Sequence, residues 1–279
     1  MYGELLEGAV AAAVAGADRL NSYFRHGGLE ARWKGRNDLV TRADNESEEA
    51  ILGEIRRRYP EHSVLAEEGG VSGGQADYQW IVDPLDGTSN FVQGLPVYAV
   101  SVACRHGDEL VAGVILDPQG GNRFTAALGA GATWNDAPMA VSDLPGLAGG
   151  FVATGYPFRT KATLDLYLAA FREVFQHVRS LRRCGAAALD LAYTAAGVYD
   201  GFFELRLSAW DIAAGALLIR EAGGAITDLD GGGGFLDTGS VIAGGAAVHR
   251  ELLTVIGRHI DEARLEAVDP LKVAEPSQC

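Results

Sequence analysis

The chain has 279 residues, 48% hydrophobic and 22% charged, which is room for one large domain or two smaller ones with real cores. Its 37 acidic against 23 basic residues leave a net charge of −14, arguing against nucleic-acid backbones and anionic membranes as partners. No run of about 18 apolar residues exists, and Glu4 and Glu7 interrupt the one candidate signal region, so neither a membrane span nor a signal peptide is expected. Cys104, Cys184 and Cys279 form no CxxC pair and suit a reducing cytoplasm.

Leu5, Leu6, Val10, Val14, Leu20 and Phe24 recur near helical spacing, predicting a first helix that ends around His26-Gly27-Gly28. A second helix is predicted from about Thr41 to Arg58, stopped by Pro60. Short apolar segments follow at residues 63–66, 79–82, 98–104 and 111–116, separated by turn residues. They predict a mostly antiparallel sheet layered on the two helices. After Pro145-Gly146 the pattern alternates. Strands are expected at 151–153, 202–205, 225–227 and 241–243, and helices at 162–174, 186–196, 212–222 and 248–259. The chain thus divides into an N-terminal α+β half (1–145), a C-terminal α/β half (146–264) and a frayed tail (265–279). The glycine run at 231–234 lacks a following GK[ST] and reads as a loop.

The most informative stretch is WIVDPLDGTSNF, residues 80–91. An apolar run, Trp80-Ile81-Val82, delivers Asp83 and Asp86 with Pro84 between them, and Pro84 bends the backbone there. The bend can aim both carboxylates and the Leu85 carbonyl at one point. Gly87-Thr88-Ser89-Asn90 follows, with small residues that leave backbone N–H groups free for an anion. Hard oxygens for a divalent cation beside donors for a phosphate suggest metal-assisted phosphate chemistry. The same string is also good turn chemistry.

Four further carboxylates have a similar double reading. Glu67 and Glu68 end an apolar run and precede two glycines, either as solvated charges or at a strand end facing a site. Thr41-x-x-Asp44 and Ser208-x-x-Asp211 both have capping-box spacing at predicted helix starts. A cap can still face a cleft. Arg159, Lys161, Arg183 and Arg206 could reach a second phosphate, but read first as solvated surface charges. No histidine has zinc-site spacing, and neither a G-x-S-x-G nor an EF-hand loop is present, while a two-carboxylate glycosidase stays open.

Taken together, Asp38-Leu39-Val40-Thr41-x-x-Asp44, Ala66-Glu67-Glu68, WIVDPLDGTSNF and Trp210-Asp211-x-Ala-Ala-Gly resemble the inositol monophosphatase family of Mg²⁺-dependent, lithium-sensitive phosphatases. The resemblance spans about residues 34–260, and TSN after Asp86-Gly87 is similar to this branch rather than to the bisphosphate nucleotidases, which tend to carry Lys there. It implies a layered αβαβα sandwich, as in fructose-1,6-bisphosphatases, and two or three Mg²⁺ ions. By motif match, Glu67, Asp83 and the Leu85 carbonyl hold the first metal, Asp83, Asp86 and Asp211 the second, and Glu67 contributes to a weaker third. Asp44 and Thr88 orient the attacking water, and Gly87 and Thr88 offer backbone N–H groups to the phosphate. Glu204 matches the family's substrate-hydroxyl contact, with Asp86, Ala187 and Asp211 at other polyol-side positions.

The implied activity is hydrolysis of a small polyol or sugar phosphate by a metal-activated water, with inositol 1-phosphate the first candidate. The implied setting is a cytoplasmic homodimer with no nucleic-acid or membrane partner. Within enzymes, fructose 1,6-bisphosphate, histidinol phosphate and 3′-phosphoadenosine nucleotides are the alternative substrates. Outside enzymes, the alternative is a regulatory protein on a retired scaffold, against which the presence of every matched acid argues. At Gly185-Ala186-Ala187-Ala188 the chain departs from the family pattern, in which Ser or Thr usually follows the glycine. One fewer hydroxyl for the polyol is expected to broaden the choice of substrate.

Overall fold

The computed structural model describes residues 2–26, 31–35, 38–74, 77–158 and 160–269, with the side chains of 31–39 excepted. The first half comprises α1 (Gly3–Tyr23), the hairpin β1 (Ala31–Gly35) and β2 (Asp38–Thr41), α2 (Arg42–Arg58), β3 (Ser63–Ala66), β4 (Gly70–Gly73), β5 (Tyr78–Asp86) and α3 (Thr88–Val92). A meander follows: β6 (Ala99–His106), β7 (Glu109–Asp117), β8 (Asn122–Ala127), β9 (Gly131–Trp134) and β10 (Ala137–Pro138). The second half comprises β11 (Phe151–Thr154), α4 (Leu164–His177), β12 (Ser180–Arg182), α5 (Ala187–Ala195), β13 (Gly201–Glu204) and α6 (Ala209–Glu221). It closes with β14 (Ala225–Thr227), α7 (Phe235–Thr238), β15 (Val241–Gly244), α8 (Ala246–Gly257) and α9 (Glu262–Val268).

Five layers result. One sheet has the order β10-β9-β8-β7-β6-β5-β3-β4, the other β12-β11-β13-β15-β14. On β5, Trp80 and Val82 pack with α1 and α2, whereas Ile81 packs with α5 and α6. On β13, Phe202 joins the α5–α6 layer and Phe203 the outer layer of α4 and α8. Both sheets are therefore covered on both faces, which is why their strands read as nearly continuous apolar runs. The expected αβαβα sandwich is the observed architecture, with α5 and α6 as its middle layer. Among the described residues, no helix is long and apolar enough to cross a membrane.

Several boundaries differ from expectation for visible reasons. α1 stops at Tyr23 because Phe24 leaves the helix to pack its ring 5.4 Å from Phe91 and 5.0 Å from Tyr98. Gly27 and Gly28 lie outside the described residues. Residue 265, where a tail is expected to begin, lies instead within α9, with Leu265 fully buried and Asp261 capping the Arg264 N–H. Residues 270–279 lie outside the described part. The glycine run at 231–234 wraps a carboxylate: Asp228 accepts N–H bonds from Asp230, Gly232 and Gly234.

Candidate active site

Three strand ends (β3, β5 and β13) and three helix starts (α3, α5 and α6) meet at one cleft. β3 runs parallel to β5, with Ala66 paired to Val82, so Glu67 emerges beside Asp83. The β5–β6 ladder is irregular between Asp83 and Asp86, where Pro84 removes a donor. The Leu85 N–H bonds back to Asp83 Oδ1 at 2.9 Å, closing an Asx-type turn. Ser47, a residue of α2 that the sequence did not single out, donates its hydroxyl to the Pro84 carbonyl at 2.9 Å and braces the bend. Gly87 then takes φ 88°, a left-handed conformation that suits glycine, and starts α3.

Asp86 and Asp211 are both held by helix starts. The Ala188 N–H, in the first turn of α5, donates to Asp86 Oδ2 at 2.8 Å. The Ser208 N–H donates to Asp211 Oδ2 at 2.7 Å, in the capping box that opens α6. The cap reading thus holds for Asp211, and the same carboxylate also lines the cleft. Asp83, Asp86 and Asp211 are all buried, and each offers a carboxylate oxygen within 4.8 Å of the others. Burial, followed by the charges of Glu67, Asp86 and Asp211, pushes the Asp83 carboxyl well above the ordinary range. Burial and the Asp211 charge push Asp86 up to about 7. Like charges held this close in a low-dielectric site are stabilised by a divalent cation, and the all-oxygen donor set suits Mg²⁺ or Mn²⁺.

Asp44 lies beneath the cleft rather than on its wall. It is fully buried, accepts the Thr41 N–H at 2.9 Å in the α2 capping box, and accepts the Thr88 hydroxyl at 3.1 Å. The same hydroxyl oxygen is 3.0 Å from the Leu85 carbonyl. A cleft of about 390 Å³ is lined by Glu67, Asp83, Leu85, Asp86, Gly87, Thr88, Ala187, Glu204 and Asp211. Every proposed ligand and substrate contact therefore shares one cavity.

Ala186 also borders the cleft, at the side of the Gly87 turn. It has no solvent exposure, and its methyl lies 3.3 Å from where a Gly87 β-carbon would stand. Arg206 is no solvated surface charge, being 5% exposed at the side chain and bonded to Glu266 and to the Thr238 and Asp269 carbonyls. Arg183 lines the cleft with its guanidinium 5.5 Å from the Tyr156 ring and 5.3 Å from the Phe158 ring. Arg159 lies outside the described residues. Sequence reading also passed over Asp190, which is 1% exposed on α5, with a buried Oδ1 lacking a hydrogen-bond partner. Its signal was a lone acid in the apolar helix AALDLA.

Comparison with known proteins places the chain in a family. The chain matches the model of the inositol monophosphatase family over residues 1–264. It is 44% identical over 255 residues to the Nus factor SuhB of Pseudomonas aeruginosa, covering 90% of this chain and 94% of that one. The extragenic suppressor protein SuhB of Bartonella henselae superposes with a TM-score of 0.89 at 38% identity, covering 92% of this chain and 100% of that one. The inositol monophosphatase of Anabaena superposes with a TM-score of 0.82 at 36% identity, covering 96% and 98% respectively. This chain belongs to the inositol monophosphatase family.

Proposed function

We propose that this protein is a Mg²⁺-dependent phosphomonoesterase for small polyol or sugar phosphates, with inositol 1-phosphate the first candidate. The observation that carries the reading is the convergence of buried Asp83, Asp86 and Asp211 on one cleft. Glu67, Asp83 and the Leu85 carbonyl would hold one cation, Asp83, Asp86 and Asp211 another, with Glu67 lending an oxygen to a third. Bound Mg²⁺ supplies positive charge that polarises the phosphoryl group and acidifies water. The Thr88 hydroxyl, donating to Asp44 Oδ1, keeps a lone pair to orient the attacking water, and Asp44 can take up the proton passed through it. Backbone N–H groups of Gly87 and Thr88, at the left-handed turn, would hold the phosphate oxygens. Glu204 would accept a hydroxyl of the leaving group, with Ala187 beside it.

A second reading comes from the relatives named Nus factor SuhB. On it, this chain too serves as a Nus factor, through a protein partner and with or without catalysis. Exposed Tyr156, Phe158, Leu164, Leu168 and Phe175 offer apolar surface for such a partner or for the proposed homodimer. Free thiols at Cys104 and Cys184 suit the proposed cytoplasmic setting.

Phosphate release with Mg²⁺ against EDTA decides between catalysis and a retired scaffold. Asp83→Asn should remove nearly all turnover. Asp44→Asn and Asp211→Asn should cut kcat/KM by orders of magnitude while both variants still fold, because the Asn side-chain oxygen can still accept the Thr41 or Ser208 N–H at the N3 position of its capping box. Turnover that survives EDTA, or near-normal turnover in these variants, contradicts the metal-assisted reading.

The raised carboxyls add a pH signature. Between the unfolded value of 3.8 and the folded value of about 7, the metal-free folded protein holds a proton at Asp86 that the unfolded chain releases. That contribution stabilises at acid pH and is lost as pH rises through about 7. Protons and Mg²⁺ compete for the same oxygens, so the Tm gain on adding Mg²⁺ should grow from about pH 5 to about pH 8. A gain that is constant, or largest in acid, goes against the site.

Because its methyl faces the Gly87 turn, Ala186→Ser should change kcat/KM for inositol 1-phosphate and for p-nitrophenyl phosphate by the same factor. A selective improvement for the polyol ester would place the hydroxyl in the leaving-group pocket instead.

A further inference from the structure

Glu204 ends β13, and the parallel register that pairs Ala153 with Phe202 and Thr154 with Phe203 brings Gly155 opposite it. A β-carbon at position 155 would stand 1.8 Å from Glu204 Oε1, 1.9 Å from its Cδ and 2.2 Å from Oε2. The Glu204 carboxylate fills the volume that any side chain at 155 would need. The backbone at Gly155 lies outside the left-handed region, so no conformational demand calls for glycine there. The three nearest obstacles all belong to Glu204, and none to Asp83, Asp86 or Asp211.

We infer that Gly155 is a specificity-determining positioning residue. Its bare Cα is the seat that holds the Glu204 carboxylate at the leaving-group end of the cleft, and so sets preference for polyol esters over plain phosphate esters. This rests on Glu204 being the contact for a substrate hydroxyl, as proposed above. The segment cannot slide to make room at no cost. Thr154, 1% exposed, shares a hydrogen bond of 3.1 Å with the Tyr167 hydroxyl on α4, and Tyr156 to Phe158 form the next part of the cleft wall. The colliding atoms, by contrast, are the far end of a flexible side chain. A methyl at 155 therefore displaces the carboxylate more readily than the strand, which makes the substitution a change of specificity before it is a change of fold.

The test uses the full chain with Mg²⁺, and kcat and KM for inositol 1-phosphate and p-nitrophenyl phosphate. Gly155→Ala should lower the ratio of the two kcat/KM values by about tenfold, through a raised KM for the polyol ester, as expected for one hydrogen bond to a charged group. In a Glu204→Ala background, where the carboxylate is gone, the same substitution should change the ratio by less than about twofold. An equal loss in both backgrounds overturns the proposal. So does an unchanged ratio in Gly155→Ala when Glu204→Ala lowers it, with the role of Glu204 left standing. An unchanged ratio in Glu204→Ala itself overturns the role of Glu204 and the proposal with it. Should Gly155→Ala alone fail to fold, restored folding in the double variant supports the seat, and an unfolded double variant contradicts it.

Discussion

Three backbone N–H groups decide where the charge of this protein sits. Leu85 N–H holds Asp83, Ala188 N–H holds Asp86 and Ser208 N–H holds Asp211, at 2.9, 2.8 and 2.7 Å. Each bond occupies one carboxylate oxygen, and the group as a whole still brings an oxygen from each acid within 4.8 Å of the others. Buried carboxylates this close repel one another and resist ionising, as the raised Asp83 and Asp86 show. A divalent cation among them would offset that repulsion, and the hydrogen bonds already anchor the three acids around the space it would take.

The layering follows from the same requirement. Asp86 belongs to the first sheet, but its anchor is the first turn of α5, in the middle layer. Asp211 sits at the start of α6, packed between the two sheets, and Glu204 ends a strand of the second sheet. The cleft therefore exists only when both halves share their core, and neither sheet alone carries a complete set of oxygens. Helix starts gathered at strand ends also concentrate positive dipole ends around the acids, which suits bound phosphate as well.

Much of the site was legible because it is local in the chain. Asp83, Asp86, Gly87 and Thr88 lie within six residues, and a proline between two acids announces a bend. Asp44 and Asp211 were visible as acids but ambiguous, since capping-box spacing is the same whether or not the second oxygen meets a cleft. What stayed hidden depends on contacts distant in sequence. Gly155 is ordinary until β13 lays Glu204 against it, and Ala186 turns toward Gly87 only once α5 docks on the β5 turn. The strands at 122–138 went unnoticed because NRFTAA and GATW carry few large apolar residues and are broken by glycines. The end of α1 was misplaced because Phe24 fits helical spacing yet is drawn off by Phe91 and Tyr98.

Anomalous diffraction from crystals equilibrated with Mn²⁺ at neutral pH tests the central claim most directly. The account predicts strong metal peaks among Glu67, Asp83, Asp86 and Asp211, with the Leu85 carbonyl as a ligand and the Asp83 peak lost in Asp83→Asn. A fully formed carboxylate cluster that takes up no Mn²⁺ would contradict it.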